Sequence, residues 1–370
     1  MSALGFEALG FDLNPAMVIV AKARLLDSTV EGSLGSLLDD LVTKAAKTDL
    51  GHVEDDPLEI WFTRGSAAAL RRFDYAIQTL LIDPREHRAL FDHPTLKRVS
   101  SLAAFFYVAV FRVLRKLLAP FRSANPTWIK QPVSNIDRVT VRESRLHKLL
   151  REQVKTMTTG LLAPTQATIP RHATIDRAGS TSLPIDDSSV DAVISSPPYC
   201  TRIDYVKKTS PELAFLGANA AAIKRLRHEM IGTPTIHKIP VQQDPAWGSA
   251  CIDTLEVISS HKSYASKSYY WKTFVQYFGG LYQSLREIDR TLKSAGQCIL
   301  VVQDSYYKDT HVDLAKIIDE MTQGLGWSAI ARSDFPTTKT IVGLNTHAIK
   351  NGNPGQATET VLSFRKNMRT

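Results

Sequence analysis

The sequence predicts a mixed α/β fold with a mostly parallel sheet and a large helical insertion. Short apolar runs alternate with segments of helical periodicity, and this alternation is typical of parallel sheets covered by helices. The clearest strand is GQCILVVQD at 296–304, whose continuous β-branched run suits a strand buried on both faces. Two further strands, near 327–333 and 359–365, flank a polar loop rich in Gly and Asn, and we predict that they form an antiparallel edge.

The first predicted strand, GFEALGFDL at 5–13, leads directly into a helix. Asn14 can cap that helix, Pro15 fits its first position, and MVIVAKARLL follows with helical spacing. Residues 31–160 are mostly helical in pattern. The most apolar run, 102–111, is shorter than the roughly 20 residues that span a bilayer. We therefore predict a buried helix there and expect no membrane partner.

The pattern of the chain changes at about residue 170. DSSVDAVISSPPY at 187–199 predicts a turn, a short strand and a stop imposed by two prolines. The segments that follow are predicted to be a helix over 210–230, irregular chain over 231–268, a long amphipathic helix over about 270–292, and a helix that begins near Thr310 and closes at Gly324.

The net charge of +8 is concentrated in one segment. Residues 112–155 carry eleven Lys and Arg against three acids, so the other 326 residues balance to zero. A local excess of this kind is expected for a polyanion partner. The alternative is a solvated helix face without a partner.

Composition excludes several classes of protein. With 44% hydrophobic and 22% charged residues, the chain is not disordered, collagen-like or a coiled-coil rod. Cys200, Cys251 and Cys298 lie far apart without a CxxC motif, which predicts no disulfide scaffold and no metal site. Met1 to Leu13 lacks the pattern of a signal peptide, so a reducing cytoplasm is the expected location.

The strongest chemical signal is Ser196-Pro197-Pro198-Tyr199, at the end of a predicted strand. In open α/β sheets, ligands bind beyond the carboxyl ends of the strands. Two successive prolines remove two N–H groups, which leaves nearby carbonyls free to accept hydrogen bonds beside a hydroxyl and an aromatic face. This array suits a planar group with an exocyclic NH₂. A strand-ending turn with a packing tyrosine is the alternative.

With DSSVDAVIS before it and DLNP upstream, this motif resembles that of the DNA amino-methyltransferases, which transfer methyl from S-adenosylmethionine to a base nitrogen. The resemblance covers about 5–25, 171–206 and 280–366. It implies a class I SAM-methyltransferase-like (Rossmann-like) sheet. The serine form of the motif is associated most often with cytosine N4, and adenine N6 is the alternative target.

The resemblance also implies roles for the motif residues. Ser196 and the carbonyl of Pro197 would accept hydrogen bonds from the target amine, and Tyr199 would stack on a flipped base. The amine attacks the methyl carbon directly, so no covalent cysteine intermediate is implied. Cys200, next to the motif, is therefore interpreted as a packing residue.

The cofactor site is implied by the same resemblance. Asp12, at the end of its strand, would bind the ribose, and a helix-capping role is the alternative for this residue. Gly179 stands where relatives have an acid that contacts the adenine amine, and Asp176 or Ser180 is a candidate to replace that acid. The cofactor-binding residues implied in this way are Asp12, Asn14, Pro15, Gly179, Ser180 and Ser195.

Double-stranded DNA is the expected macromolecular partner. The predicted DNA contacts are Arg202, Lys207 and Lys208 after the motif, and Arg138, Arg142, Arg145 and Lys148 in the basic segment. Plain solvent exposure is the alternative for these residues. Trp61, Tyr107 and Trp128 are aromatic residues of the middle region that are also compatible with DNA contacts, unless that region only buttresses the sheet.

One feature of the family is missing from the sequence. Its first strand and the FxGxG turn that holds the methionine part of the cofactor should precede Gly5, and no other glycine-rich segment has the right context. We therefore expect a complementing chain that carries this strand, turn and helix. The alternatives are a truncated or non-catalytic DNA-binding subunit, or methylation of RNA or of a protein amide.

The predicted organisation has three parts. Residues 1–30 form a partial SAM-binding part, and 31–170 form a mainly helical insertion that is a candidate DNA-recognition region. Residues 171–370 form the catalytic core, with an irregular insertion at about 207–268. We expect a protein with these parts to be a site-specific DNA methyltransferase linked to restriction or phage defence.

Overall fold

The protein has a mixed α/β structure, as predicted. The chain divides into two compact units. We call residues 1–177 with 206–226 the helical unit, and residues 178–205 with 227–370 the sheet unit. The computed structural model describes residues 5–51, 53–85, 87–92, 94–123, 128–161, 173–200, 203–237, 241–337 and 357–368.

Helices and strands alternate irregularly along the chain. The α-helices are α1 (Pro15–Ala23), α2 (Leu34–Ala46), α3 (Arg64–Leu81), α4 (Thr95–Arg98), α5 (Ser101–Leu117), α6 (Glu143–Leu161), α7 (Tyr205–Lys208), α8 (Ser210–Phe215), α9 (Ala220–Glu229), α10 (Ser249–Ser260), α11 (Trp271–Thr291) and α12 (Leu314–Gly324). The strands are β1 (Ala8–Asp12), β2 (Ala173–Arg177), β3 (Val190–Ser195), β4 (Leu292–Gln303), β5 (Ser305–Tyr307), β6 (Thr310–Val312), β7 (Trp327–Thr337) and β8 (Ala357–Lys366).

The helical unit contains a two-stranded parallel sheet. β1 pairs with β2 so that Ala8 lies beside Ala173 and Asp12 lies beside Arg177. Among the described residues between these strands lie the six α-helices α1 to α6, which confirms the helical pattern of the middle region. α5 buries eleven of its seventeen residues, as predicted for the apolar run. Among the described residues, no helix combines the length and apolar character that crossing a bilayer requires.

The predicted cap of α1 is confirmed. The Oδ1 atom of Asn14 accepts a hydrogen bond from the backbone N of Ala16 at 3.0 Å, and Pro15 occupies the first turn. The Nδ2 atom of Asn14 donates to the hydroxyl of Thr209 at 2.8 Å. Asn14 is buried, so both hydrogen bonds replace contacts that its amide would otherwise make with water.

The sheet unit contains a four-stranded sheet in the order β3-β4-β8-β7. β3 and β4 are parallel, with Ile194 beside Ile299. β8 is antiparallel to both β4 and β7, which confirms the predicted antiparallel edge. The prediction of a mostly parallel sheet was wrong here, because two of the three strand pairs in this sheet are antiparallel. The buried side chains of Phe278 from α11, Leu300 from β4 and Phe364 from β8 belong to the core of this unit.

The single helix predicted over 210–230 is divided into α8 and α9. Gly217, between the two helices, has a φ of +93°, which lies in the left-handed region that side chains other than glycine rarely adopt. A Cβ atom at this position would also collide with the Cβ of Ala89. The glycine therefore ends α8 and allows a close approach of another segment.

A further prediction of local structure was wrong. The segment predicted to be irregular contains α10, which buries Cys251, Leu255 and Ile258 at helical spacing. The helix predicted to close at Gly324 is confirmed as α12, although it begins at Leu314 rather than near Thr310, because Thr310 belongs to the β5–β6 hairpin. Asp313 caps α12 by accepting a hydrogen bond from the backbone N of Lys316 at 2.9 Å.

Candidate functional site

The Ser-Pro-Pro-Tyr segment directly follows the carboxyl end of β3. Ser195, the last residue of the strand, is paired with Leu300 of β4, and the chain leaves the sheet after it. Ser196 is exposed, and the three residues after it are half-buried. β3 and β4 are parallel, and in open α/β folds ligands bind beyond the carboxyl ends of such strands.

Tyr277 fixes the carbonyl of Pro198 by a hydrogen bond. The phenol of Tyr277, which is buried on α11, donates a hydrogen bond to the Pro198 oxygen at 2.8 Å. Burial raises the pKa of Tyr277 well above its ordinary value, so this hydroxyl remains a proton donor at any physiological pH. This hydrogen bond fixes Pro198 and does not involve the carbonyl of Pro197, which can therefore accept a hydrogen bond from another group.

Gly232 packs directly against the same segment. Its φ is +83°, and a Cβ atom there would lie 3.0 Å from the Cβ of Pro198 and 3.3 Å from the oxygen of Tyr199. A side chain at this position would be strained and would press on the motif. Neither Gly232 nor Tyr277 was predicted from the sequence. The only local signal for Gly232 was its place in a Gly-Thr-Pro turn after a helical segment.

Tyr199 lies near a carboxylate on the neighbouring part of the sheet. Burial raises the pKa of its phenol, and the negative charge of Glu359 raises it further. Glu359 is paired with Gln303, the last residue of β4. Asp304 follows, where its carboxylate accepts hydrogen bonds from the backbone N of Thr358 at 2.8 Å and from His311 at 2.9 Å. Polar groups from β4 and β8 therefore lie at the same end of the sheet as the motif.

The cysteine beside the motif is part of the packed interior. Cys200 is fully buried and belongs to the core cluster of the sheet unit. Its side chain lacks the exposure that a nucleophile needs. The structure thus favours the packing role that the sequence predicted for it.

In the helical unit, Asp12 stands at the carboxyl end of β1. Its Oδ1 atom accepts a hydrogen bond from the backbone N of Asn14 at 2.8 Å. Burial raises the pKa of this carboxyl group. Arg177 donates to the carbonyl of Leu13 at 3.0 Å and supports the same turn. Asn14 and Pro15 form the start of α1, so they shape the turn that presents Asp12.

The two residues at the predicted adenine position form part of a tight turn. The carbonyl of Gly179 accepts a hydrogen bond from the backbone N of Ser182 at 3.1 Å. The hydroxyl of Ser180 lies 2.8 Å from the hydroxyl of Ser284 on α11. These contacts are structural, and the cofactor roles of Gly179 and Ser180 stay predictions.

The residues predicted to contact DNA have different surroundings. The ammonium of Lys207 lies 4.0 Å from the ring centre of Trp128, a cation–π contact. Arg202 lies outside the described residues. Lys208, Arg142, Arg145 and Lys148 are exposed, and Arg138 is half-buried.

The predicted DNA-contact role was wrong for two of the three aromatic residues. Trp61 is 2% exposed, and Tyr107 is completely buried. The phenol of Tyr107 donates to Asp74 at 2.6 Å, and the indole of Trp61 donates to the carbonyl of Lys130 at 3.0 Å. Both side chains are therefore part of the interior of the helical unit.

Comparison with known proteins finds similarity to type II methyltransferases. Over 121 residues the chain is 35% identical to the type II methyltransferase M.BsoBI of Geobacillus stearothermophilus. This aligned region covers 31% of this chain and 23% of that protein. Over 160 residues it is 24% identical to the type II methyltransferase M.AvaI of Nostoc sp. and of Anabaena variabilis, covering 40% of this chain and 33% of those proteins. No family model matches the chain.

Proposed function

We propose that this chain is an S-adenosylmethionine-dependent DNA amino-methyltransferase of a restriction-modification system, acting on the N4 amine of cytosine. The sheets would then be parts of a class I, Rossmann-like methyltransferase core. The observation that carries the proposal is the Ser196–Tyr199 segment, which follows a parallel strand and is fixed by Tyr277 and Gly232. The similarity to type II methyltransferases supports the same activity.

In this proposal the motif binds and orients the target amine. Within the described residues, no protein group hydrogen-bonds to the Ser196 hydroxyl or to the carbonyl of Pro197, so both can accept from an NH₂ group. Positive charge develops on the amine nitrogen as it attacks, and these two acceptors stabilise it. The half-buried ring of Tyr199 offers a stacking surface for a base turned out of the duplex.

The carboxylate of Asp12 fits a cofactor ribose, because it can accept hydrogen bonds from the ribose hydroxyls. Its Oδ1 atom is used by the turn, and the structure gives its Oδ2 atom no hydrogen-bond partner among the described residues. A half-buried carboxylate with one open oxygen at the end of a strand suits a ribose diol. S-adenosylmethionine, when bound, supplies the electrophilic methyl group. Asp12 would orient that cofactor, with Asn14 and Pro15 fixing the turn.

We further propose that a complementing polypeptide pairs with an open strand edge. Among the described residues, β3 is paired only with β4, and in the helical unit β1 is paired only with β2. Ile194 of β3 is 57% exposed and Leu9 of β1 is 48% exposed, although parallel strands are normally buried on both faces. A strand, FxGxG turn and helix from another polypeptide segment would cover such an edge.

Complementation predicts a difference in cofactor binding. Isothermal titration of S-adenosylmethionine into the purified chain should give weak or undetectable binding. The chain co-expressed with a segment that contains the strand, FxGxG turn and helix should bind with a dissociation constant at least about tenfold lower, because new cofactor contacts form. Equally tight binding by the chain alone would contradict the need for a complementing segment.

The function itself predicts transfer of a labelled methyl group to DNA. The complemented chain, incubated with tritiated S-adenosylmethionine and mixed-sequence duplex DNA, should label the DNA. Nucleoside analysis should then find N4-methylcytosine. Finding N6-methyladenine would change the target base while keeping the reaction class. No transfer despite cofactor and DNA binding would instead favour a non-catalytic DNA-binding subunit.

A further inference from the structure

Two apolar side chains in the helical unit project almost completely into solvent. Val133 is 99% exposed and Ile136 is 94% exposed. Single exposed apolar residues need no explanation, but two neighbouring β-branched side chains with nearly full exposure are costly to keep hydrated. Both lie in the loop 128–140, between α5 and α6.

The tip of this loop has a defined conformation. Residues Asn135–Asp137 form one turn of 3₁₀-helix. The Oδ2 atom of Asp137 accepts hydrogen bonds from the backbone N of Ser134 at 3.0 Å and from its hydroxyl at 2.8 Å. This capping box satisfies donors at the start of the turn. It holds the segment between Val133 and Ile136 in a fixed shape.

Both ends of the loop are anchored to the core of the helical unit. The carbonyl of Lys130 accepts the indole N–H of Trp61 at 3.0 Å. On the other side, the backbone N of Val139 donates to the carbonyl of Trp61 at 2.8 Å, and the backbone N of Thr63 donates to Val139 at 3.0 Å. The hydrogen bonds on the two sides converge on Trp61, so the buried aromatic residue fixes the base of the loop.

The charge around the tip is positive. Residues 128–142 contain three basic residues, Lys130, Arg138 and Arg142, and one acid, Asp137. The carboxylate of Asp137 already accepts hydrogen bonds from Ser134. Arg145 is exposed one turn further along α6. Such a surface attracts a polyanion. Two apolar side chains are too few for a protein interface, and one short turn does not resemble a membrane-surface helix.

We propose that Val133 and Ile136 form a wedge that inserts between base pairs of duplex DNA while the neighbouring basic residues contact its phosphates; this rests on the proposed action on DNA. Apolar side chains inserted into a base step partly unstack it and kink the duplex. A kink lowers the cost of turning a nearby base out of the stack. The wedge thus assigns to this loop a role in DNA deformation that basic residues alone do not provide.

The experiment compares three variants of the full chain. Val133→Ala with Ile136→Ala removes the wedge. Val257→Ala with Ile330→Ala, two half-exposed residues of the sheet unit, is the matched control. Arg142→Gln with Arg145→Gln removes charge only. Thermal melts should coincide with wild type for the wedge variant, because its side chains make almost no contacts.

Two measurements separate insertion from charge attraction. Relaxing closed circular plasmid with a topoisomerase in the presence of wild-type protein should change its linking number, and the wedge variant should abolish this change. The wedge variant should bind a 30-bp duplex about tenfold more weakly, with an unchanged slope of log affinity against log salt. The arginine variant should reduce that slope by about 1–2 and still unwind DNA at saturation.

Other outcomes would overturn the proposal. Unwinding by the wedge variant equal to wild type, or absence of unwinding by wild type, would refute insertion. If the wedge variant no longer binds anionic vesicles but unwinds DNA as wild type does, the tip of the loop would be a lipid-binding site. Methyl transfer measured on the same complemented preparations keeps the two proposals apart. If the wild-type protein methylates DNA and the wedge variant unwinds DNA as well as wild type does, only the wedge is refuted. If the wedge variant loses unwinding but the wild-type protein transfers no methyl group, only the methyltransferase activity is refuted.

Discussion

Replacing Ser196 by alanine is expected to lower methyl transfer to DNA by about 10²- to 10³-fold, the usual cost of losing one preorganised group that stabilises developing charge. The Ser196 side chain is exposed and makes no protein hydrogen bond among the described residues, so the fold should be unaffected. Tyr199→Ala should reduce transfer to a similar extent, because the surface on which the flipped base stacks is lost.

Graded and matched variants make this test specific. Tyr199→Phe keeps the ring and should retain most of the activity. Ser189→Ala changes an exposed serine at the other end of β3, whose hydroxyl donates to the carbonyl of Asp186 at 2.7 Å, and should be silent. Transfer at the wild-type rate by Ser196→Ala or Tyr199→Ala would refute the assignment of the motif.

The position of the motif could be predicted because its determinants are local. A short apolar strand followed by two prolines must leave the sheet, since proline cannot donate to the strand ladder. Asn14 and Pro15 are likewise local signals, and the cap they predict is present. The antiparallel pairing of β7 with β8 followed from two strands flanking a polar loop.

The support of the motif could not be predicted because it comes from distant residues. Tyr277 is 79 residues from Pro198, and only the tertiary packing of α11 brings its phenol to that carbonyl. Gly232 is meaningful only because the motif approaches its backbone. Aromatic composition did not show that Trp61 and Tyr107 are buried, since burial depends on which helices pack together.

Local charge was also an incomplete guide. Several cations of the basic segment are paired with acids from other elements: Arg115 with Glu212 at 2.5 Å, Lys116 with Glu152 at 2.8 Å, and Arg151 with Asp39 at 2.8 Å. The sequence counts charges but does not show these pairs. The surface charge near the 128–140 loop therefore depends on Lys130, Arg142 and Arg145 more than on the total.

The second large effect is expected at Arg71, whose replacement by alanine should destabilise the helical unit by about 3–5 kcal/mol. Its guanidinium binds Asp56 through two nitrogens at 2.7 and 2.8 Å. It also donates to the carbonyls of Phe215 at 2.5 Å and Ala214 at 2.8 Å at the end of α8. Alanine would leave a buried carboxylate without its cation and two carbonyls without this donor.

Arg64→Ala is the matched control, because Arg64 begins the same helix and is exposed, with Glu59 3.7 Å away. Exposed ion pairs contribute little, so this variant should change the free energy of unfolding by no more than about 0.5 kcal/mol.

Arg71→Lys keeps the charge but loses the two-nitrogen geometry, so its free energy of unfolding should lie between those of the two alanine variants. Chemical denaturation measures all three. Because Arg71 ties α8 to α3, equal stability of the two alanine variants would mean that segment 206–226 is held by apolar packing alone.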